Sequence, residues 1–394
     1  MNIAAIHNYY QIPGGEDSVY QNEIEALKRR GHNVSIFTMH NDDIESQSRL
    51  RVAKETVWSR RSYQSLFEFF QRNRIDVAHF HNTFPLISPS GYYAAKSAGA
   101  AVVQTLHNFR LVCPGGQFLR AGRICEDCNG RTFPLPGIVH GCYRGERGAT
   151  SVVASMLAFH WLRGTWKNQV DCYVVLSEFA KSRFIVGGLP ADKIVVKPNF
   201  ADAPAITTAA PRQKRALFVG RLSKEKGIDT LLEAWNELQT PLDVIGGGTL
   251  LESVKRANVP SISIKGQMPP DKVAEAMSTA CFLVVPSICY EGFPLVIAEA
   301  MAAGLPVIAS RLGAMAEIVQ DGVTGLHFNA GDAGDLASKV RWAINNGDDM
   351  ARMGDNAREI YHTHYTESIN YEQLISIYEK AIERASTKSN HSSG

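Results

Sequence analysis

The chain has 394 residues, 45% hydrophobic and 20% charged, an ordinary globular composition with room for roughly two to three domains. No apolar run reaches the ~18–20 residues that cross a bilayer. The N-terminal MNIAAIHNYYQIPGGED has neither a basic n-region nor a cleavage-like site, so the expected compartment is the cytoplasm. Net charge is +2 but uneven: residues 1–199 hold 23 Lys/Arg against 16 Asp/Glu, and residues 200–394 hold 18 against 23. An anionic partner is therefore expected at the first half.

In chain order, NIAAIH (2–7) reads as a strand, and PGGED (13–17) as a glycine turn. A helical pattern runs from Ser18 to Arg30 and is closed by Gly31. NVSIFTM (33–39), IDVAHFH (75–81), AVVQTLH (101–107) and DCYVVLS (171–177) read as further strands. Strands separated by helical stretches imply βαβ units and a parallel sheet. ADAPAITTAAPRQ (201–213) has the composition of a linker. The second half repeats the alternation, with strands at 216–221, 242–248, 261–266, 281–287 and 305–310. Its helices are predicted at 227–238, 270–279 and 293–303. Unbroken Val/Ile/Leu runs suit strands buried on both faces. The spacing at 365–385 predicts a long amphipathic helix, and the tail STKSNHSSG reads as disordered.

Four stretches carry chemistry. In CYEGFPLVIAEAMAAGLPVIAS (289–310), Glu291 precedes a helix that Pro294 opens and Gly304 and Pro306 stop. Glu299 lies about two turns in, about 80° around the axis from Glu291. A charged glutamate among Leu, Val, Ile and Ala needs a partner, because unpaired burial costs several kcal/mol. In FVGRLSKEKGIDTLLEA (218–234), Arg221 and Lys226 sit between a strand and a helix, where cations suit a diphosphate. Gly14 and Gly15 let backbone N–H groups approach a ligand. GGG (246–248) follows a strand but lacks the G-x-G-x-x-G spacing of a dehydrogenase, and no Walker A or D-x-D sequence is present.

Together these stretches resemble retaining glycosyltransferase family 4, with its GT-B fold and E-x7-E motif, here Glu291 to Glu299; VKPNF (196–200) and GVTGLHF (322–328) are also similar to it. The resemblance covers most of the chain. It implies an α/β fold of two Rossmann-like doubly wound domains facing a central cleft. The first domain would span 1–200, with a Cys-rich insertion at 108–148. The second would span 201–362, followed by a helix at 363–385 crossing back and a tail at 386–394. It also implies a nucleotide-diphospho-sugar donor, most simply UDP-linked, and a glycan or lipid-linked acceptor in polysaccharide or glycoconjugate synthesis. Arg221 and Lys226 would hold the diphosphate, Glu299 the ribose hydroxyls, and Glu291 would lie near the sugar. Gly292, Phe293, Pro294 and Leu295 would meet the sugar and phosphate, and Gly266, Gln267 and Met268, next to Lys265, would read the base. Gly14, Gly15 and Asn199 would approach the donor, and His107 is expected near its hexose. Retention of configuration implies attack on the face the diphosphate leaves. Fixed cations and helix N–H groups can stabilise that departure without a divalent metal or other cofactor.

The seven cysteines are odd in number, which argues against a disulfide framework. Cys113, Cys125, Cys128 and Cys142, spaced C-x11-C-x2-C-x13-C, are a candidate structural zinc site, with His140 as a substitute ligand. Residues 49–74 carry seven Lys/Arg with Trp58, Phe67, Phe69 and Phe70, and 155–167 adds Trp161 and Trp166. Such faces suit peripheral contact with an anionic membrane. Two other readings are a GT-B-like sugar-nucleotide epimerase and a zinc-bearing protein that contacts nucleic acid. The motif set argues against the first. The balanced charges between Cys113 and Cys142 argue against the second, so no nucleic-acid partner is expected.

Overall fold

The computed structural model describes residues 1–11, 14–201 and 212–391. Its strands are β1 Asn2–Tyr9, β2 Asn33–His40, β3 Val77–Asn82, β4 Ala101–Leu106, β5 Leu119–Arg120, β6 Arg123–Ile124, β7 Cys172–Val175 and β8 Ile194–Val196, then β9 Ala216–Val219, β10 Leu242–Ile245, β11 Ile262–Gly266, β12 Phe282–Val285, β13 Val307–Ser310 and β14 Gly325–Phe328. They form two six-stranded sheets, ordered β2-β1-β3-β4-β7-β8 and β11-β10-β9-β12-β13-β14, and a small antiparallel hairpin β5-β6. Every pairing in the two large sheets is parallel.

The chain divides into two compact units. One holds Met1–Phe118, Glu126–Pro198 and the chain from Asn370 onward; the other holds Leu119–Cys125 and Asn199–Ile369. The linker expected at 201–213 lies, apart from its ends, outside the described residues. The tail differs from its expectation, because the final helix runs from Glu367 to His391 and so takes in most of it. Ser386, Thr387 and Lys388 continue the register of YEKAIERA without a proline or glycine to end it.

In the first unit the central strands are buried on both faces: all six residues of β3 and all six of β4 are buried. That suits their Val, Ala, Phe and Leu content, while the buried His79, His81, Asn82, Gln104 and Thr105 among them need hydrogen-bond partners. Leu374, Ile377, Tyr378 and Ala381 recur at helical spacing and bury against Ile3, Val77, Val103 and Val174. Burying a Leu or Ile side chain fully contributes about 1.5–3 kcal/mol, so this one stripe anchors the last helix to the first sheet. In the second unit, Phe218, Leu231, Trp235, Val244, Val284 and Ile308 centre the core.

Each sheet reverses its winding once, between β1 and β3 in the first and between β9 and β12 in the second. Loops leaving the carboxyl ends of such neighbouring strands diverge and leave a crevice, the usual ligand position in open parallel sheets. Among the described residues, no helix is long and apolar enough to cross a membrane.

Candidate active site

In the second unit, the loop after β9 carries Arg221 and Lys226, and the loop after β12 carries Glu291. The two loops meet at the reversal point. Lys226 Nζ donates to Glu291 Oε1 at 2.6 Å, and Ser287 Oγ donates to the same oxygen at 2.7 Å. Arg221 lies 3.3 Å from Glu225 Oε1, which also accepts from Ser223 Oγ at 2.6 Å. Ile288 N–H donates to the Glu225 carbonyl at 2.9 Å, a main-chain tie between the loops.

Glycines make this approach feasible. Gly227 has φ +72°, and a Cβ there would overlap the Pro286 carbonyl oxygen. At Gly246, with φ +138°, a Cβ would overlap the Gly220 carbonyl oxygen. The GGG run (246–248) is therefore a close backbone contact beneath the Arg221 loop, sealed by Leu222 N–H donating to the Gly247 carbonyl at 2.8 Å.

The Lys226–Glu291 pair is only partly shielded, with side chains 25% and 14% exposed. Burial alone would push the glutamate up and the lysine down. Their mutual attraction, with the Ser287 hydroxyl, outweighs it, so Glu291 titrates below its usual range and Lys226 above its own. Glu291 thus stabilises the fold above the unfolded carboxyl pKa and loses that contribution as pH falls through its lowered value. Lys226 contributes below the unfolded amine pKa and loses its share as pH rises through its raised one. The pair is intact across the neutral range.

The helix after Glu291 runs from Leu295 to Ala302 and is capped by Pro294. Phe293 and Pro294 are buried, with Phe293 edge-on to Tyr365 at 5.5 Å. Glu299 and Gly292 are half-buried; this carboxylate is not sealed in the core. Gly266 has φ +72° and ends β11, and Gln267 and Met268 behind it are exposed. Asn199 is buried, and its Oδ1 has no partner among the described residues.

In the first unit, Gly14 caps the helix Gly15–Arg29, and its N–H donates to Asp17 Oδ2 at 2.8 Å. A Cβ at Gly14 or Gly15 would meet nothing within 4 Å. Packing among the described residues does not require these glycines. His107, just past β4, places Nε2 3.1 Å from His81 Nδ1 with the two rings stacked. His81, Asn82, Thr83, Gln104, His107 and Arg110 line a pocket that opens to solvent. The sequence leaves open whether His79 and His81 are core or site residues, and it gives no sign of Asp17, Glu23 and Lys197. The strand alternation of VAHFHN, which puts both histidines on one face, was the available signal.

Burial, then the charges of His7 and Lys197, lower His107 to about 3. Burial, opposed by the Val57 carbonyl, lowers His160 to about 4. An unfolded histidine takes up its proton near 6.5, so between these values the unfolded state binds more protons. Stability is expected to fall as pH drops below about 6.5. Denaturant titrations at pH 7.5 and 5 check this, and His107→Gln should flatten the dependence; an acid limb of unchanged slope would count against it.

None of the seven cysteines is in a disulfide. Among the described residues, two groups have ligand atoms within 4.8 Å of one another, Glu23/His79/His81 and His7/Glu16/Asp17, and neither includes a cysteine. The zinc expectation for Cys113, Cys125, Cys128 and Cys142 gains no support from them. In the first group, Glu23 already faces the Lys197 ammonium at 2.6 Å. The aromatics of the basic segments divide. Phe70 and Trp166 are buried, while Trp58, Phe67, Phe69 and Trp161 are half-buried.

Residues 13–203 match the model described as Glycosyltransferase Family 4, and residues 200–360 match Glycosyl transferases group 1. The two models together account for most of the chain. The chain belongs to glycosyltransferase family 4. An uncharacterized glycosyltransferase of Methanocaldococcus jannaschii is 34% identical over 174 residues, 43% of this chain and 48% of that protein, so the chain spans about half of that relative's length. A phosphatidyl-myo-inositol mannosyltransferase of Mycobacterium leprae is 28% identical over 86% of each chain. Among solved structures, Anabaena HepE in complex with UDP superposes with a TM-score of 0.67 at 19% identity, covering 95% of this chain and 99% of that one. That likeness gives this family 4 member the GT-B fold, with two Rossmann-like units.

Proposed function

We propose that this chain is a retaining glycosyltransferase that moves a sugar from a nucleotide-diphospho-sugar, UDP-linked, to a glycan or lipid-linked acceptor. The observation that carries the reading is the Lys226–Glu291 pair with Arg221 at the winding reversal of the second sheet, directly before the helix that holds Glu299. When the glycosidic bond to the diphosphate breaks, negative charge builds on the phosphate and positive charge on the sugar ring. Arg221 and Lys226 are preorganised cations for the first, and Glu291 is a preorganised carboxylate for the second. They would supply this stabilisation without a divalent metal. The half-buried Glu299 would accept hydrogen bonds from the ribose. The departing phosphate oxygen would take the acceptor's proton, which accounts for attack on the same face. Gly14 and Gly15, which nothing among the described residues requires to be glycine, leave room for a donor phosphate or sugar against the backbone. His107 would meet the hexose. UDP is favoured by the complex that HepE forms, and a lipid-linked acceptor by the mannosyltransferase relative.

A thermal-shift screen over UDP-, GDP- and ADP-sugars tests the reading, since a ligand at ~100 times its Kd adds about 2.7 kcal/mol of stability. A clear rise in Tm is expected with a UDP-sugar. The rise should be lost in Glu299→Ala and Arg221→Ala, and both folded variants should lose transfer. A folded Glu299→Ala enzyme with wild-type turnover would remove the assignment.

A further inference from the structure

His107 is the end of a buried polar chain whose hydrogen-bond directions can be worked out. At its far end, Asn370 Nδ2 donates to the Pro198 carbonyl at 2.6 Å, which turns Oδ1 toward Lys197 at 3.1 Å. Lys197 Nζ also donates to Glu23 Oε1 at 2.6 Å. The other oxygen, Glu23 Oε2, makes no hydrogen bond among the described residues and faces His81 Nε2 at 3.5 Å, while His81 Nδ1 is hydrogen-bonded to His107 Nε2 at 3.1 Å. The Lys197, Glu23 and His81 side chains are at most 3% exposed.

An ammonium only donates, and a carboxylate paired with it only accepts. His81 therefore carries its proton on Nε2, since a bare nitrogen facing a bare carboxylate oxygen would be repelled. A neutral imidazole has one N–H, so His81 Nδ1 is an acceptor. The hydrogen bond to His107 then requires the proton on His107 Nε2, and His107 Nδ1 keeps a lone pair. Both rings are neutral: burial and the neighbouring histidines and Lys197 hold His81 and His107 far below the usual imidazole range.

We propose that the Glu23–Lys197 pair, acting through His81, fixes His107 in its Nε2–H tautomer, so that His107 Nδ1 meets substrate as a hydrogen-bond acceptor. A sugar hydroxyl in contact with it donates its proton rather than accepting one. Glu23, Lys197 and His81 are positioning residues. The consequence for substrate rests on the proposed contact of His107 with the donor sugar; the tautomer does not.

The test is nitrogen-15 NMR of the histidine rings in the full-length protein, with the His107 signals assigned by their loss in His107→Gln. The wild type is expected to show His107 protonated at Nε2. In Glu23→Gln, Lys197 still requires an acceptor, so the amide oxygen stays with it and the NH2 group faces His81 Nε2. That nitrogen must then accept. The proton of His81 moves to Nδ1, and the proton of His107 moves to its Nδ1. A merely structural ion pair would leave both tautomers as they were. Transfer, measured as kcat/KM, is expected to fall roughly tenfold with the flip. Should Glu23→Gln fail to fold, His81→Phe cuts the chain without touching the Glu23–Lys197 pair, and His107 should become a mixture of tautomers. An Nδ1–H wild type, an unflipped Glu23→Gln, or a His81→Phe still wholly in the Nε2–H form overturns the proposal. A flipped tautomer with unchanged transfer upholds the chain and overturns the sugar contact of His107 instead.

Discussion

Lys226→Ala is expected to lower kcat/KM by roughly 10²–10³-fold, the usual loss when one preorganised charge is removed from a developing anion. The effect comes from the geometry of the pair: Lys226 Nζ lies 2.6 Å from Glu291 and sits beside Arg221. Removing the ammonium also takes away the charged partner of the Glu291 carboxylate, while the Ser287 hydroxyl still donates to it. A loss of about 1–3 kcal/mol in stability should accompany it, at the lower end because both side chains keep some water contact. Glu291→Gln should be milder in stability, since an amide needs no counterion. The double variant Lys226→Ala/Glu291→Gln should lose less stability than the two singles added together. Denaturant unfolding of the four proteins, with turnover of the folded ones, checks both effects. A folded Lys226→Ala enzyme turning over at the wild-type rate would show that the cation has no part in the reaction.

Gly227→Ala is the second large effect, and it acts through the backbone. Gly227 has φ +72°, and the added methyl would overlap the Pro286 carbonyl oxygen, a main-chain atom that cannot swing aside. The left-handed conformation alone costs about 1 kcal/mol for a non-glycine residue, and the overlap should raise the loss to about 3–5 kcal/mol. Relief would come from parting the two loops that hold Lys226 and Glu291, so activity should fall even in the surviving folded fraction. Gly322 supplies the control, because it has φ +75° but open space around its Cα. Gly322→Ala should cost only the conformational part. Equal losses of Tm in the two variants would show that loop contact is not what Gly227 serves.

The expected strands at 2–7, 33–39, 75–81, 101–107 and 171–177 all have counterparts in the first sheet, because each carries a run rich in β-branched and aromatic residues between turn signals. The sixth strand of each sheet escaped. Ile194–Val196 and Gly325–Phe328 are three and four residues long and lie at sheet edges. Segments that short carry too little periodicity to be told from loops. Pro294 marked the start of its helix within one residue, since its ring suits a position that needs no N–H donor.

The sequence by itself determined the parallel α/β class, the family, and the E-x7-E and VGRLSKEKG segments. Each of these rests on local spacing or on residue types a few positions apart. The tertiary structure alone decided that Lys226 reaches Glu291 across 65 positions and that Ser287 shares the contact. It alone brought Lys197 to Glu23 across 174 positions, and through His81 to His107. Nothing local announces such pairs. A buried lysine and an exposed one are the same letter, and only the winding of the sheet tells which charge has left water and must find its partner.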